Sequence, residues 1–258
     1  MSVKKLFDLS GRSAIVTGGS RGLGLQIAEA LGEMGARVAL TSRKQDELDA
    51  AVAHLARQGI QAQAWACDVG KREAIAPFAD EVLKKFGKVE ILVNNAGATW
   101  GAPAEDHPVE AWDKLVSVNM TGAFLLSQRI AKRSMIPAKY GRIVNVASVA
   151  GLYASDPAIV RTVAYNATKH GVVGLTRQLA AEWGEHGITV NAICPGFFPS
   201  KMTRATLNTG GEAIRKTTPT RRLGGPEDLK GLAVLLASDA GQHITGEAIS
   251  VDGGAMLI

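Results

Sequence analysis

The chain has 258 residues, of which 46% are hydrophobic and 21% charged, with a formal net charge of +5 and a sequence pI of about 9.3. That is material for one large core; no apolar run reaches bilayer length and no secretory leader is recognisable, so a cytoplasmic protein without a membrane partner is expected. The positive charge is scattered, with no Arg-rich arm or aromatic platform, which argues against a nucleic-acid partner.

Apolar runs rich in Val, Ile and Ala at 13–19, 36–42, 61–69, 90–97, 142–148, 188–196 and 247–254 predict seven strands. Amphipathic stretches at 24–35, 44–59, 72–87, 110–135, 163–187 and 226–238 predict the helices between them. Strand and helix in alternation, with strands apolar on both faces, predict an α/β fold: a single-domain, Rossmann-type, doubly wound parallel sheet of about seven strands with helices on both faces. No linker or internal repeat divides 1–258. Cys67 and Cys194 lie in strand-like apolar settings and read as buried free thiols. The five histidines show no ligand spacing among themselves or with either cysteine, so no metal is expected. Only 197–226 reads as a long loop-rich region, and loops of that length are functional lids or disordered.

The first strand runs into TGGSRGLG, where Gly18, Gly22 and Gly24 are spaced G-x-x-x-G-x-G at the entry to a helix. Such a loop brings backbone close to a pyrophosphate and offers it the unpaired N–H groups of a helix N-terminus. No Gly-Lys-Ser/Thr follows, so it is not an ATP-type loop. Ser20, Arg21 and Leu23 join the three glycines as candidate cofactor contacts. An acid at the end of the second strand would hold the adenosine ribose hydroxyls of NAD; here Ser42 and Arg43 stand there, and Arg21 lies in the loop. Both cations favour the 2′-phosphate of NADP(H) over NAD(H). The alternative is that Arg43 and Lys44 simply open a solvated helix.

Ligands of open parallel sheets bind at the carboxyl ends of strands. Asp68-Val69 ends the third predicted strand, Asn94-Asn95-Ala96-Gly97 the fourth, Ser148 the fifth and Pro195-Gly196 the sixth. With Asn119 on the following helix and Tyr165 four residues before Lys169, this ordered set closely resembles the short-chain dehydrogenase/reductase family over nearly the whole chain. The resemblance implies a cofactor-binding part over 10–150 and a catalytic helix and substrate lid over 150–226. It further implies that Tyr165 is the catalytic acid/base, Lys169 its partner and a ligand of the nicotinamide ribose, Ser148 the substrate-orienting hydroxyl, and Asn119 the anchor of a proton-relay water. Asp68, Val69, Asn95, Ala96, Gly97, Pro195, Gly196, the Phe198 backbone, Ser200 and the Met202 side chain are the implied remaining cofactor contacts. The chemistry agrees: hydride addition to a ketone builds negative charge on oxygen, which needs a proton donor and hydrogen bonds there. A nearby ammonium would favour phenolate and lower the pKa of Tyr165.

Two departures from the family pattern stand out. The interval from Ser148 to Tyr165 is 17 residues, longer than usual, and carries the extension YASDPAIVRTV. After Pro195-Gly196 the chain reads FFPSKMT, with Ser200 where a threonine is commoner. Within the family the pattern is most similar to 3-oxoacyl-(acyl-carrier-protein) reductases, including the rhamnolipid-linked type, and to gluconate 5-dehydrogenases. The expected substrate is therefore a small ketone or a 3-oxoacyl thioester, free or carrier-linked, with a sugar acid as the alternative and a non-catalytic dinucleotide-binding role as a third reading. Between Lys201 and Arg222 six basic residues (Lys201, Arg204, Arg215, Lys216, Arg221, Arg222) face one acid, Glu212, which suits an anionic carrier. Trp100, Tyr153 and Phe197 either line an acyl channel or pack in the core. The uncharged tail after Asp252 either joins subunits into the homotetramer that the resemblance implies or packs on its own core.

Overall fold

All seven apolar runs become strands: β1 (Ser13–Thr17), β2 (Arg37–Ser42), β3 (Ala62–Ala66), β4 (Ile91–Asn94), β5 (Gly141–Val146), β6 (Ile188–Pro195) and β7 (Ala248–Val251), in a computed structural model that describes residues 1–257. Every pairing is parallel, in the order β3-β2-β1-β4-β5-β6-β7. Strand order reverses between β1 and β4, which leaves a crevice at their carboxyl ends.

The helices are α1 (Val3–Leu6), α2 (Gly22–Glu33), α3 (Gln45–Arg57), α4 (Arg72–Phe86), α5 (Val109–Leu115), α6 (Gly122–Ile130), α7 (Ile136–Ala138), α8 (Val163–Trp183), α9 (Arg204–Thr217) and α10 (Lys230–Ala237). Alternation along each strand sorts them into two layers. Ala14 and Val16 of β1 face the cluster that holds Ile27 and Leu31 of α2, Leu48 and Leu55 of α3 and Leu236 of α10. Ile15 between them faces Phe78 and Val82 of α4, Leu126 and Ile130 of α6 and Leu179 of α8. Each such side chain removed from water contributes about 1.5–3 kcal/mol, so the sheet is held from both faces at once.

A polar thread crosses this apolar interior. Asn94 Nδ2 donates to Ser127 Oγ and to Asn145 Oδ1, both at 2.9 Å; Asn145 Nδ2 donates to Thr176 Oγ1 at 2.9 Å, which donates to the Val172 carbonyl at 2.8 Å. The thread fixes α6, β4, β5 and α8 in one register. Both Cys67 and Cys194 are free and buried, as expected, and burial pushes each thiol up to about 11. Among the described residues, no helix is long and apolar enough to cross a membrane.

Two elements differ from expectation. The region 197–226 is not all loop, for it contains α9, a helix of 14 residues. Three threonines and two adjacent glycines weaken its intrinsic helicity, but it is amphipathic and packs Gly211 and Ile214 inward. The stretch 110–135 is not one regular helix either: π-type turns at Val116–Thr121 and Ala131–Met135 interrupt it.

Asn145→Ala should lower the unfolding free energy by about 1–3 kcal/mol, because it leaves one buried Asn94 amide hydrogen without an acceptor. Chemical denaturation of the variant checks this, and an unchanged midpoint would mean the thread adds nothing to stability.

Candidate active site

The first turn of α2 is built to face an anion. Its N-cap, Arg21, makes no side-chain capping bond, so the leading N–H groups of the helix point into the crevice unpaired. Gly22 has φ +57, where side chains are disfavoured, and a Cβ on Gly24 would sit 2.4 Å from both the Gly18 carbonyl and Asn95 Nδ2. Asn95 is the reason for that crowding: its Nδ2 donates to the carbonyls of Thr17 (2.9 Å) and Gly18 (3.2 Å). In return the Thr17 hydroxyl accepts the N–H groups of Asn95 (3.0 Å) and Ala96 (2.9 Å). Four hydrogen bonds thus tie the glycine loop to the end of β4. Thr17 was not singled out in the sequence; its position as the last residue of a strand before a glycine loop was the available signal.

At the end of β2, Arg43 is exposed and has no ion-pair partner among the described residues, whereas Arg21 and Lys44 both reach Glu47 in the first turn of α3. Asp68 lies just past β3, where its carboxylate accepts the Gly70 N–H at 3.0 Å, with Val69 buried beside it. The residues fit a dinucleotide: an uncapped helix start, a glycine loop in which Gly18 and Gly24 leave no room for a side chain against Asn95, and an exposed cation, Arg43, after β2.

Four of the expected side chains converge beyond β4 and β5. Tyr165 and Lys169 stand one turn apart on α8, with Lys169 Nζ 5.6 Å from the Tyr165 ring centroid. Lys169 is 4% exposed, and its ammonium donates to the Val146 carbonyl of β5 at 2.7 Å. A Cβ on Gly97 would lie 3.4 Å from Asn119 Oδ1 and 3.8 Å from Lys169 Nζ, which puts the end of β4 against both. Asn119 lies in the π-type turn Val116–Thr121; its Oδ1 accepts the Ala98 N–H at 2.8 Å, and its Nδ2 donates to the Ala98 carbonyl and Thr168 Oγ1, both at 3.0 Å. Both amide hydrogens are committed, so the side chain braces the loop and α8, and a water could be anchored only through the backbone or as a donor to the second lone pair of Oδ1. Ser148 caps the short turn Val149–Gly151, accepting the Ala150 N–H at 3.1 Å.

Electrostatics here depart from the sequence expectation. Burial raises the Tyr165 phenol above its ordinary value, and the Ser148 hydroxyl draws it back only in part. Burial also pushes the Lys169 ammonium down to about 8. The phenol is therefore a protonated donor at neutral pH rather than a phenolate, the state needed to deliver a proton to a nascent alkoxide.

Three segments wall the site. The loop after β4 joins the extension after β5 through the Ala102 N–H, which donates to the Arg161 carbonyl at 2.9 Å. Asn166, next to Tyr165, holds that extension to α8: its amide donates to the Tyr153 carbonyl (3.3 Å) and Ser155 Oγ (3.1 Å), and its Oδ1 accepts from Thr162 Oγ1 (2.9 Å). Asn166 went unnoticed in the sequence, although it lies inside the YNATK motif. The third segment starts at Pro195-Gly196, where Gly196 N–H donates to the Val251 carbonyl at 3.0 Å. Ser200 Oγ lies 3.0 Å from Thr203 Oγ1, Thr203 Oγ1 donates to the Phe198 carbonyl at 2.6 Å, and Met202 is exposed. Ser200 thus shapes the turn into α9, and the Phe198 side chain is buried while its carbonyl is already engaged. Of the six lid cations, Arg215 pairs with Glu212 and Arg222 with Asp228, so the free positive charge is smaller than the sequence suggests. Lys201, Arg204, Lys216 and Arg221 have no ion-pair partner among the described residues.

The profile of the short chain dehydrogenase family matches residues 12–210, most of the chain. The chain belongs to the short-chain dehydrogenase/reductase family. It is similar to gluconate 5-dehydrogenase of Gluconobacter oxydans, at 38% identity over 98% of both chains. It is also similar to the rhamnolipids biosynthesis 3-oxoacyl-[acyl-carrier-protein] reductase of Pseudomonas aeruginosa, at 39% identity over 97% of this chain and 98% of that one. A gluconate 5-dehydrogenase from Burkholderia cenocepacia, solved in complex with NADP and tartrate, superposes with a TM-score of 0.94 at 32% identity over all of both chains. As a short-chain dehydrogenase/reductase the protein is an NAD(P)-dependent oxidoreductase acting on CH–OH and C=O groups.

Two outcomes test the site. Tyr165→Phe removes only the hydroxyl and should cut turnover by about 10²–10⁴-fold with cofactor affinity preserved; activity near wild type would remove Tyr165 from the chemistry. Because the Lys169 ammonium is present below about pH 8 and lost above it, kcat/KM for ketone reduction should hold level to neutral pH and fall as pH rises through that value. A profile flat into the strongly alkaline range would show that the charge is not used.

Proposed function

We propose that this enzyme reduces a 3-oxoacyl thioester to the 3-hydroxyacyl thioester with NADPH, as a cytoplasmic homotetramer. The cofactor supplies the hydride. The Tyr165 hydroxyl delivers the proton to the carbonyl oxygen, Ser148 holds that oxygen by a hydrogen bond, and Lys169 keeps positive charge beneath Tyr165 and offers donors to the nicotinamide ribose. Asn119 keeps the loop 94–98 and α8 at a fixed separation. Arg21 and Arg43 favour the 2′-phosphate, a charge-assisted contact that NADH cannot make.

The observation that carries the substrate reading is the rim. Trp100, Tyr153, Ile159 and Met202 are 48%, 52%, 45% and 42% exposed, and they come from the three segments that follow β4, β5 and β6. Large apolar groups left in water on each of these three segments suit an acyl chain. Their exposure also removes the core alternative for Trp100 and Tyr153. Assembly is supported by the tail, where Leu257 is 82% exposed in the single chain; a monomer mass by light scattering would remove that part of the reading.

A second reading, reduction of a keto sugar acid, is favoured by the free cations Lys201 and Arg204 at the start of the lid and by the names of the gluconate-oxidising relatives. Steady-state kinetics with 3-oxoacyl thioesters of increasing chain length and with 5-ketogluconate separate the two. The thioester reading expects kcat/KM to grow with chain length by up to about threefold to fourfold per methylene, since each buried CH₂ contributes about 0.8 kcal/mol. Efficient turnover of 5-ketogluconate alone would install the sugar-acid reading instead. For the cofactor, Arg43→Asp should move the NADPH/NADH ratio of kcat/KM at least tenfold toward NADH; an unchanged ratio would detach Arg43 from the 2′-phosphate.

A further inference from the structure

Two cations from separate segments meet on one carboxylate beside the end of β2. Arg21 Nη1 lies 2.5 Å from Glu47 Oε2, and Lys44 Nζ lies 3.5 Å from Glu47 Oε1. Glu47 is the least exposed of the three, its side chain 25% accessible against 49% for Arg21 and 62% for Lys44. It also stands in the first turn of α3, where the helix dipole favours a negative charge. Slight burial pulls its carboxyl up, but the contacts to Arg21 and Lys44 outweigh this and hold it below the usual range, so it is charged at any working pH. Arg43, next to Lys44, is left without a counter-charge among the described residues.

A phosphate approaching these cations meets a cluster that already contains an anion. It must either displace Glu47 from Arg21 or bind next to a like charge. A cofactor without the phosphate faces neither cost and leaves the ion pair intact.

We infer that Glu47 is a resident counter-anion that competes with the 2′-phosphate for Arg21 and Lys44, and so limits how strongly the enzyme prefers NADP(H) over NAD(H). This rests on the proposed reading of Arg21 and Arg43 as phosphate ligands. Glu47 is a specificity-determining residue acting through the two cations. The signal in the sequence is its position four residues after Arg43, in the first turn of α3, where an acid follows the strand end too late to serve as the usual ribose ligand.

The experiment is calorimetric titration of full-length wild type and Glu47→Gln with adenosine 2′,5′-bisphosphate and with 5′-AMP. The substitution keeps the side-chain shape and removes the charge at a partly exposed site, and circular dichroism confirms the fold. Wild type should bind the bisphosphate more tightly than AMP. Glu47→Gln should bind the bisphosphate about threefold to tenfold more tightly still, with AMP changed less than twofold, and the gain should shrink between roughly 50 and 500 mM salt. Unchanged bisphosphate affinity in the variant, with the wild-type preference intact, would overturn the inference while leaving the phosphate reading in place. Weaker bisphosphate binding would overturn it too, making Glu47 a support that positions Arg21. A wild type that binds both nucleotides equally would overturn the phosphate reading itself, and this inference with it.

Discussion

The reciprocal bonding of Thr17 and Asn95 is the constraint on which the site depends. It joins the last residue of β1 to the residue after β4 at the point where strand order reverses. Neither side chain need touch a ligand to matter. By bonding the Thr17 and Gly18 carbonyls, Asn95 sets the path of the glycine loop and therefore the direction of α2's unpaired N–H groups. Its neighbours Ala96, Gly97 and Ala98 then lead to Asn119, and through Thr168 to the helix that carries Tyr165 and Lys169. The two halves of the proposed site, the glycine loop before α2 and the Tyr165 and Lys169 face of α8, are thus held by one short run of polar contacts.

Burial is the second determinant. Lys169 is almost wholly enclosed, yet its only hydrogen-bond acceptor among the described residues is the carbonyl of Val146. A buried ammonium with one acceptor has donors to spare, which is both costly to the fold and useful to chemistry. Desolvation lowers the lysine and raises the tyrosine, so their protonation changes fall on opposite sides of those groups' ordinary values. Proximity alone suggested that the ammonium would depress the phenol; enclosure proves the larger influence.

How much could be read from the sequence follows from how local each signal is. The seven strands were legible because each is a short apolar run between breakers, and the Tyr165 and Lys169 pairing because helical spacing is a local rule. The helix α9 was hidden, since its threonines and glycines oppose helix formation and only the inward packing of Ile214 overrides them. The lid charges were overcounted because the ion pair of Arg222 with Asp228 crosses the presumed end of the lid. The roles of Thr17, Asn166 and Glu47 depend on partners in other segments. Residue type and spacing could nominate them, but only the assembled sheet brings the partners into reach.

The single backbone bond from Ala102 to Arg161, together with the hold of Asn166 on the extension, makes two loops from different crossovers one mechanical piece. In such an arrangement a change in the length of either loop bears on the other. An insertion after β5 would pull on the loop after β4 and, through Asn166, on the first turn of the helix bearing Tyr165. The segment after β6 has no such bond to either loop among the described residues, so a change in its length would leave that pair of loops undisturbed.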